Sequence, residues 1–317
     1  MAQIHTHEAG ANDSAYDGLV VDDARWAFGA GEEFEQGDEP LAGVDTAVPD
    51  GADPADLAAY CLMLGDDALV MSHRLSEWCS RAPDLEEDIA LANIALDLLG
   101  QARLLLARAA AADPRIVPDG PLPGCSTSAE DALAFFRKEQ QFRNVRLVEL
   151  PRGDFGETMA RLLVFSAYRL ALFERLAASR DRVLAAIAAK GVKELTYHRD
   201  FAARWFVTLA QGTAESRHRL LDGLQGLLPF LPELFATHEV EAAVTAADVG
   251  VDPSTLAPAV EAVLREACSA ADVPAPTITP ESTGPRAAGR AGRHTDALGP
   301  MLAEMQVVAR AHPRGKW

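Results

Sequence analysis

Aromatic residues make up only 6% of this 317-residue chain, cysteines number four, and acidic residues so outnumber basic ones that the formal net charge is −18. Each shortage closes off a class of function. Binding a phosphate backbone needs a basic patch, and none stands out, so nucleic acid is not an expected partner. Cys61, Cys79, Cys125 and Cys268 lie far apart without any Cys-x-x-Cys spacing, which suggests neither a disulfide framework nor a zinc site. No uninterrupted apolar run reaches the roughly 18 residues of a spanning helix. The opening MAQIHTHEAG also lacks the basic-then-apolar layout of a signal peptide. A soluble cytoplasmic protein with no membrane partner is therefore expected. Alternating β-branched runs are missing as well, and nothing resembles a Walker loop, a dinucleotide fingerprint or a nucleophile elbow.

What the chain does contain is 49% hydrophobic residues, recurring nearly everywhere at spacings of three and four, which predicts an all-α fold. Four long apolar stripes stand out. Leu57, Cys61, Leu64, Ala68, Met71, Leu75 and Trp78 form the first; Leu91, Ile94, Leu98, Gln101 and Leu105 form the second. Phe155, Met159, Leu162, Ser166, Leu170 and Phe173 form the third, and Leu184, Ala188, Gly191, Leu195, His198, Ala202, Trp205 and Leu209 the fourth. Predicted helices span 56–80, 85–112, 129–149, 155–178 and 182–211, with shorter ones at 214–228, 232–247, 254–271 and 295–311. Asp84, with Glu87 three residues on, reads as the restart after a stop at Arg81-Ala82-Pro83. Two hairpins joined by a long crossover give ferritin-like connectivity. Leu85, Ile89, Ala92, Leu96 and Leu99 add a second stripe to the second helix, which predicts burial on more than one side. Asn93, Asp97 and Gln101 form a polar ladder beside it.

A carboxylate-bridged di-iron bundle carries one inward Glu on each of two helices and an inward Glu-x-x-His on each of the other two. The corresponding positions here are Ala68, the pair Leu98 and Gln101, Ser166, and the pair Leu195 and His198. Such a set offers one imidazole and no carboxylate, whereas a pair of iron ions needs hard oxygen donors. Glu194 lies one residue, about 100 degrees, off the inward position. His198 is read as a core histidine, with Gln101 and Ser166 as partners in a neutral network that replaces a metal as the bridge between helices. The literal Glu-x-x-His at Glu215 and His218 falls in a charged run and is read as surface.

Residues 1–55 hold 13 acidic residues against Arg25 alone, a balance of −12, which leaves −6 for residues 56–317. This leader is rich in Gly, Ala and Pro and is expected to be mostly disordered, with a docking arm for a basic surface as the alternative. Arg286, Arg290 and Arg293 lie in a glycine-punctuated loop; an exposed loop and contact with the phosphates of a CoA ester are the two readings.

Four segments carry a resemblance: GDDALVMSHRLSEWCSRAPDLEEDIALANIALDLLGQAR (65–103), RKEQQFRNVRLVELPRGDF (137–155), KELTYH (193–198) and HTDALGPMLAEMQ (294–306). Together they resemble the C subunits of the bacterial phenylacetyl-CoA 1,2-epoxidases, or ring oxygenases, over about residues 56–317. The resemblance implies a ferritin-like fold and a place in a multicomponent monooxygenase of phenylacetate catabolism. In that family the related A subunits carry the di-iron site, bind most of the phenylacetyl-CoA and perform the chemistry. A reductase with FAD and an iron-sulfur centre supplies electrons from NADPH. The resemblance further implies that this chain holds no cofactor and acts as a non-catalytic partner in a hetero-oligomer. Carrying the catalytic subunit's ligand pattern over gives Ala68, Leu98, Gln101, Ser166, Leu195 and His198, of which His198 alone keeps the ligand type. The alternatives are an independent ferritin-like binding protein and a catalytic di-iron oxygenase.

Overall fold

The computed structural model describes residues 40–118, 127–277 and 288–313. Most of the leader, Cys125 and Arg286 lie outside the described residues. Residues 40–53, grouped with the leader on composition, fold onto the helical body: Leu41, Val48 and Ala52 pack against the core, and the Thr46 carbonyl accepts from Arg108. Asp53 then caps the first helix through its carboxylate, with Pro54 in the first turn, where a missing N–H costs nothing.

Four long helices build the bundle: α1 (Pro54–Ser76), α2 (Leu85–Ala112), α4 (Phe155–Leu176) and α5 (Arg182–Gln211). α1 pairs with α2 and α4 with α5, and α2 also meets α5. The short α3 (Ala129–Phe135) sits in the crossover; α6 (Ala214–Leu227), α7 (Leu231–Leu234), α8 (Glu239–Ala246), α9 (Ala257–Ala270) and α10 (Leu298–Ala311) follow the bundle. No strand occurs among the described residues. The four stripes face one core, in which Ala68, Leu98, Ser166, Leu195 and His198 are all fully buried.

Two predicted helices break. The 129–149 segment is helical only to Phe135, then runs through 3-10 turns at Glu139–Gln141 and Arg146–Glu149. The cause lies in α1, where the buried Asp66 and Asp67 carboxylates accept the backbone N–H groups of Arg143 and Val145. A continuous helix would spend those N–H groups internally and take one donor from each of two buried carboxylates. Likewise 232–247 divides into α7 and α8, because His238 starts a new helix by accepting the Val240 N–H while Glu241 accepts its own.

α1 and α4 are enclosed on nearly all sides, since α8 lies on α1 and α6 and α9 lie on α4. α2 is not. Its inner side, from Leu91 through Ile94 and Leu98 to Leu105, is buried, whereas Leu85, Ile89, Leu96 and Leu99 are 69%, 53%, 49% and 41% exposed. The expected burial of the second stripe is therefore corrected: nothing in the described chain covers it. By length and composition α2 is apolar enough to cross a membrane, yet it is the hairpin partner of α1 within the bundle.

Candidate functional site: a cationic bundle centre

At the level where the four stripes converge, the largest polar group is Arg169 on α4, one turn beyond Ser166. Its guanidinium is buried; Nε donates to Gln101 Oε1 at 2.9 Å and Nη1 to the Leu64 carbonyl at 3.1 Å. It also lies over the Phe173 ring at 4.5 Å. Gln101 in turn donates through Nε2 to Glu194 Oε2 at 2.8 Å. One donor-to-acceptor chain thus joins α4 to α1 directly and to α5 by way of α2. Gly191 makes room for it: a Cβ there would stand 2.7 Å from the Phe173 ring and 3.4 Å from Gln101 Nε2.

The bridge is charged, which corrects the neutral network expected from sequence. Gln101 does take part, but its partners are Arg169 and Glu194. Ser166 Oγ meets no hydrogen-bond partner among the described residues. His198 is indeed a core residue, but its Nε2 lies 3.0 Å from Asp97 Oδ2, on a carboxylate 38% exposed at the edge of α2. Of the polar ladder, Asp97 and Gln101 reach α5, while Asn93 is exposed. Glu194 also reaches further than its angular position suggests, because a two-carbon stem can bend back across the helix seam.

Burial draws the Arg169 guanidinium down to about 10, while the Asp67 carboxylate works against that fall, so it is charged at neutral pH. Burial likewise pushes the Glu194 carboxyl above the usual range, against the stabilising hydrogen bond from Gln101. Among the described residues, no group of three or more His, Cys, Asp or Glu side chains is arranged to hold a metal ion. Glu215 and His218 are exposed, and each pairs with a residue four positions away on α6, namely Arg219 and Asp222.

A second polar assembly, on the outer side of α1, went unseen in the sequence. Arg137 pairs with Asp66, and Arg290 pairs with Asp67 through Nη1 at 3.0 Å and Nη2 at 2.8 Å, with Glu241 Oε1 at 3.7 Å from its Nε. Burial alone would lower the Arg290 guanidinium, but Asp67 and Glu241 together hold it above the ordinary arginine value. Glu149 accepts from the Asn144 amide at 2.8 Å and the Thr295 N–H at 2.6 Å, and faces His294 Nδ1 at 2.6 Å. Arg290 is therefore committed to the interior and unavailable to a phosphate, while Arg293 is exposed. The one signal available was the density of charged residues within segments that also carry core positions. A third buried pair, Arg108 and Asp181 at 2.5 Å, joins α2 to the N-cap of α5.

Two hairpins around a polar, cation-bearing centre define a ferritin-like helical protein. The family model described as "Phenylacetic acid catabolic protein", PaaA_PaaC, matches residues 44–317, and the chain belongs to that family. A curated relative, the 1,2-phenylacetyl-CoA epoxidase C subunit, from Escherichia coli (strain K12), is 44% identical over 261 residues, covering 82% of this chain and 99% of that protein.

Proposed function

We propose that this chain is the non-catalytic C-type component of a phenylacetyl-CoA 1,2-epoxidase, bracing a homologous A-type chain that carries the di-iron site and binds most of the substrate. NADPH electrons reach that partner through a separate reductase bearing FAD and an iron-sulfur centre, in the cytoplasm. The likeness to an epoxidase C subunit, over most of both chains, supports the assignment to this enzyme. The observation that carries the non-catalytic part is the Arg169 guanidinium, a fixed positive charge hydrogen-bonded to Gln101 at one of the ligand positions. A pair of iron ions would supply oxygen activation, but only among anionic donors. The six positions hold alanine, leucine, glutamine, serine, leucine and a single histidine; the two carboxylates nearby, Glu194 and Asp97, are taken up by Gln101 and His198, and with an arginine beside them the set does not fit such a pair. The chain's own residues hold four helices in register and move no electrons.

The test is turnover of phenylacetyl-CoA by the reconstituted enzyme with and without this chain, alongside iron analysis of the chain purified alone. Loss of turnover on omission, with no retained iron, is expected. Two irons bound per chain, or full turnover without it, would overturn the reading.

A further inference from the structure

Three buried polar atoms at the bundle centre have no hydrogen-bond partner among the described residues: Ser166 Oγ and Arg169 Nη2 on α4, and His198 Nδ1 on α5. Buried polar groups seldom stay unpaired, so three on two adjoining helices call for a shared cause. The register of the α4–α5 hairpin supplies one. Phe173 stands against Gly191, and Arg169 reaches Glu194 by way of Gln101. Because the two helices run antiparallel, the next level, three residues back along α4 and four on along α5, sets Ser166 opposite His198, with Arg169 one turn away. α1 brings Ala68 to the same level, since its Leu64 carbonyl, one turn earlier, accepts from Arg169.

The chemistry of the two facing atoms selects what joins them. Asp97 Oδ2 lies 3.0 Å from His198 Nε2; a carboxylate only accepts, so Nε2 carries the proton and Nδ1 presents a lone pair to the interior. The joining group must therefore donate to Nδ1, pair with a hydroxyl and tolerate a guanidinium beside it. An anion would meet the Nδ1 lone pair, and a metal ion would find one nitrogen and a neighbouring cation. A water molecule donates to Nδ1, accepts from the Ser166 hydroxyl and keeps a second lone pair for Arg169 Nη2, the three bonds common for water inside a protein. Ala68 and Ser166, both fully buried, have side chains short enough to leave width for it.

We propose that the bundle centre binds one structural water, bridging Ser166 Oγ to His198 Nδ1 and accepting from Arg169 Nη2. The water gives the bundle a second polar rung, from α4 through α5 to Asp97 of α2, parallel to the rung of Arg169, Gln101 and Glu194, and it does so whichever enzyme the chain serves.

A crystal structure of the full-length chain, with a parallel bromide soak, and oxygen-17 relaxation dispersion of water in solution test this. One density peak within about 3.2 Å of both Ser166 Oγ and His198 Nδ1 is expected, without anomalous signal from bromide. Ser166→Val, which puts a methyl in the water's place, should lose one long-lived water from the dispersion profile, whereas Ser166→Ala should retain it with a shorter residence time; circular dichroism confirms that both variants fold. Nitrogen-15 spectra of the histidines should place the His198 proton on Nε2. A direct hydrogen bond between Oγ and Nδ1, side chains in contact with no peak between them, or an unchanged profile in folded Ser166→Val would overturn the proposal. So would a bromide signal at the peak, which would assign the site to an anion. A metal's absorption edge there would overturn both this water and the non-catalytic reading above.

Discussion

Replacing Arg169 with Met tests the bundle centre most directly, because Met keeps the apolar length of the side chain and deletes the fork and the charge. Two hydrogen bonds vanish, to Gln101 Oε1 and to the Leu64 carbonyl, each worth about 1.5–3 kcal/mol when the donor is charged. The stack on Phe173 loses its electrostatic part, about 1–2 kcal/mol in a desolvated setting. Against this stands relief from burying a cation, which recovers several kcal/mol. The net loss is about 3 kcal/mol, the lower end for breaking a buried charged network. With a urea slope of about 3 kcal/mol per molar, the unfolding midpoint should fall by about 1 M. Trp78 and Trp205 both pack edge-on to Phe155, with centroids 5.6 and 5.0 Å away, so intrinsic fluorescence reports the transition. Arg169→Lys keeps the charge but satisfies one acceptor, and should fall between the two. Chelator should not move the natural chain's midpoint. A midpoint for Arg169→Met equal to or above that of the natural chain would refute the claim that the guanidinium holds the four helices together.

Other expectations concern neighbouring groups. Asp67→Leu and Arg290→Met should each cost about 3–5 kcal/mol by stranding a buried charge, whereas the double variant should recover only part of the loss, because Glu241 still lacks its cation; chemical denaturation of all four proteins gives the coupling energy. Gly191→Ala should destabilise by about 1 kcal/mol in the same assay, because overpacking against Phe173 at 2.7 Å, about 1–3 kcal/mol, exceeds the gain from a better helix former, up to about 1 kcal/mol. Glu194 has its carboxyl raised by burial, so its contribution to stability is complete below the unfolded value near 4.5 and is lost as pH rises through the folded one. Glu194→Gln should therefore melt higher than the natural chain at pH 7 and lose that advantage near pH 4, provided the amide accepts from Gln101 as the carboxylate does.

The four bundle helices and their inward faces were legible because a stripe at three- and four-residue spacing reports burial directly. α2 marks the limit of that rule. Leu85, Ile89, Leu96 and Leu99 have the periodicity of a core face, and nothing in a pattern of apolar residues says whether the cover comes from the same chain. Charged residues misled in the opposite direction. Asp66, Asp67, Arg137, Arg169 and Arg290 are all buried, yet the mixture of aromatics and charges in a segment such as RKEQQFRNVRLVEL does not say which charges go inside, since lone charges almost never do. Only their pairing across long stretches of chain makes burial tolerable, and pairing is invisible without the fold. At the bundle centre, angular position identified Gln101 and His198 but undervalued Glu194, whose two-carbon stem carries its carboxylate to Gln101, while Asp97 meets His198 from the edge of α2.

The partners Asp67 and Arg290 are separated by 223 positions along the chain, and this fixes an order of events during synthesis. α1 emerges from the ribosome early, carrying a carboxylate whose pKa burial pushes up and which Arg290 offsets. Until Arg290 is made, that carboxylate has the Val145 N–H as a donor but not its main cation, so closing the layer over α1 costs more than it does in the longer chain. A product cut short before position 290 lacks that cation and is expected to be less stable for it.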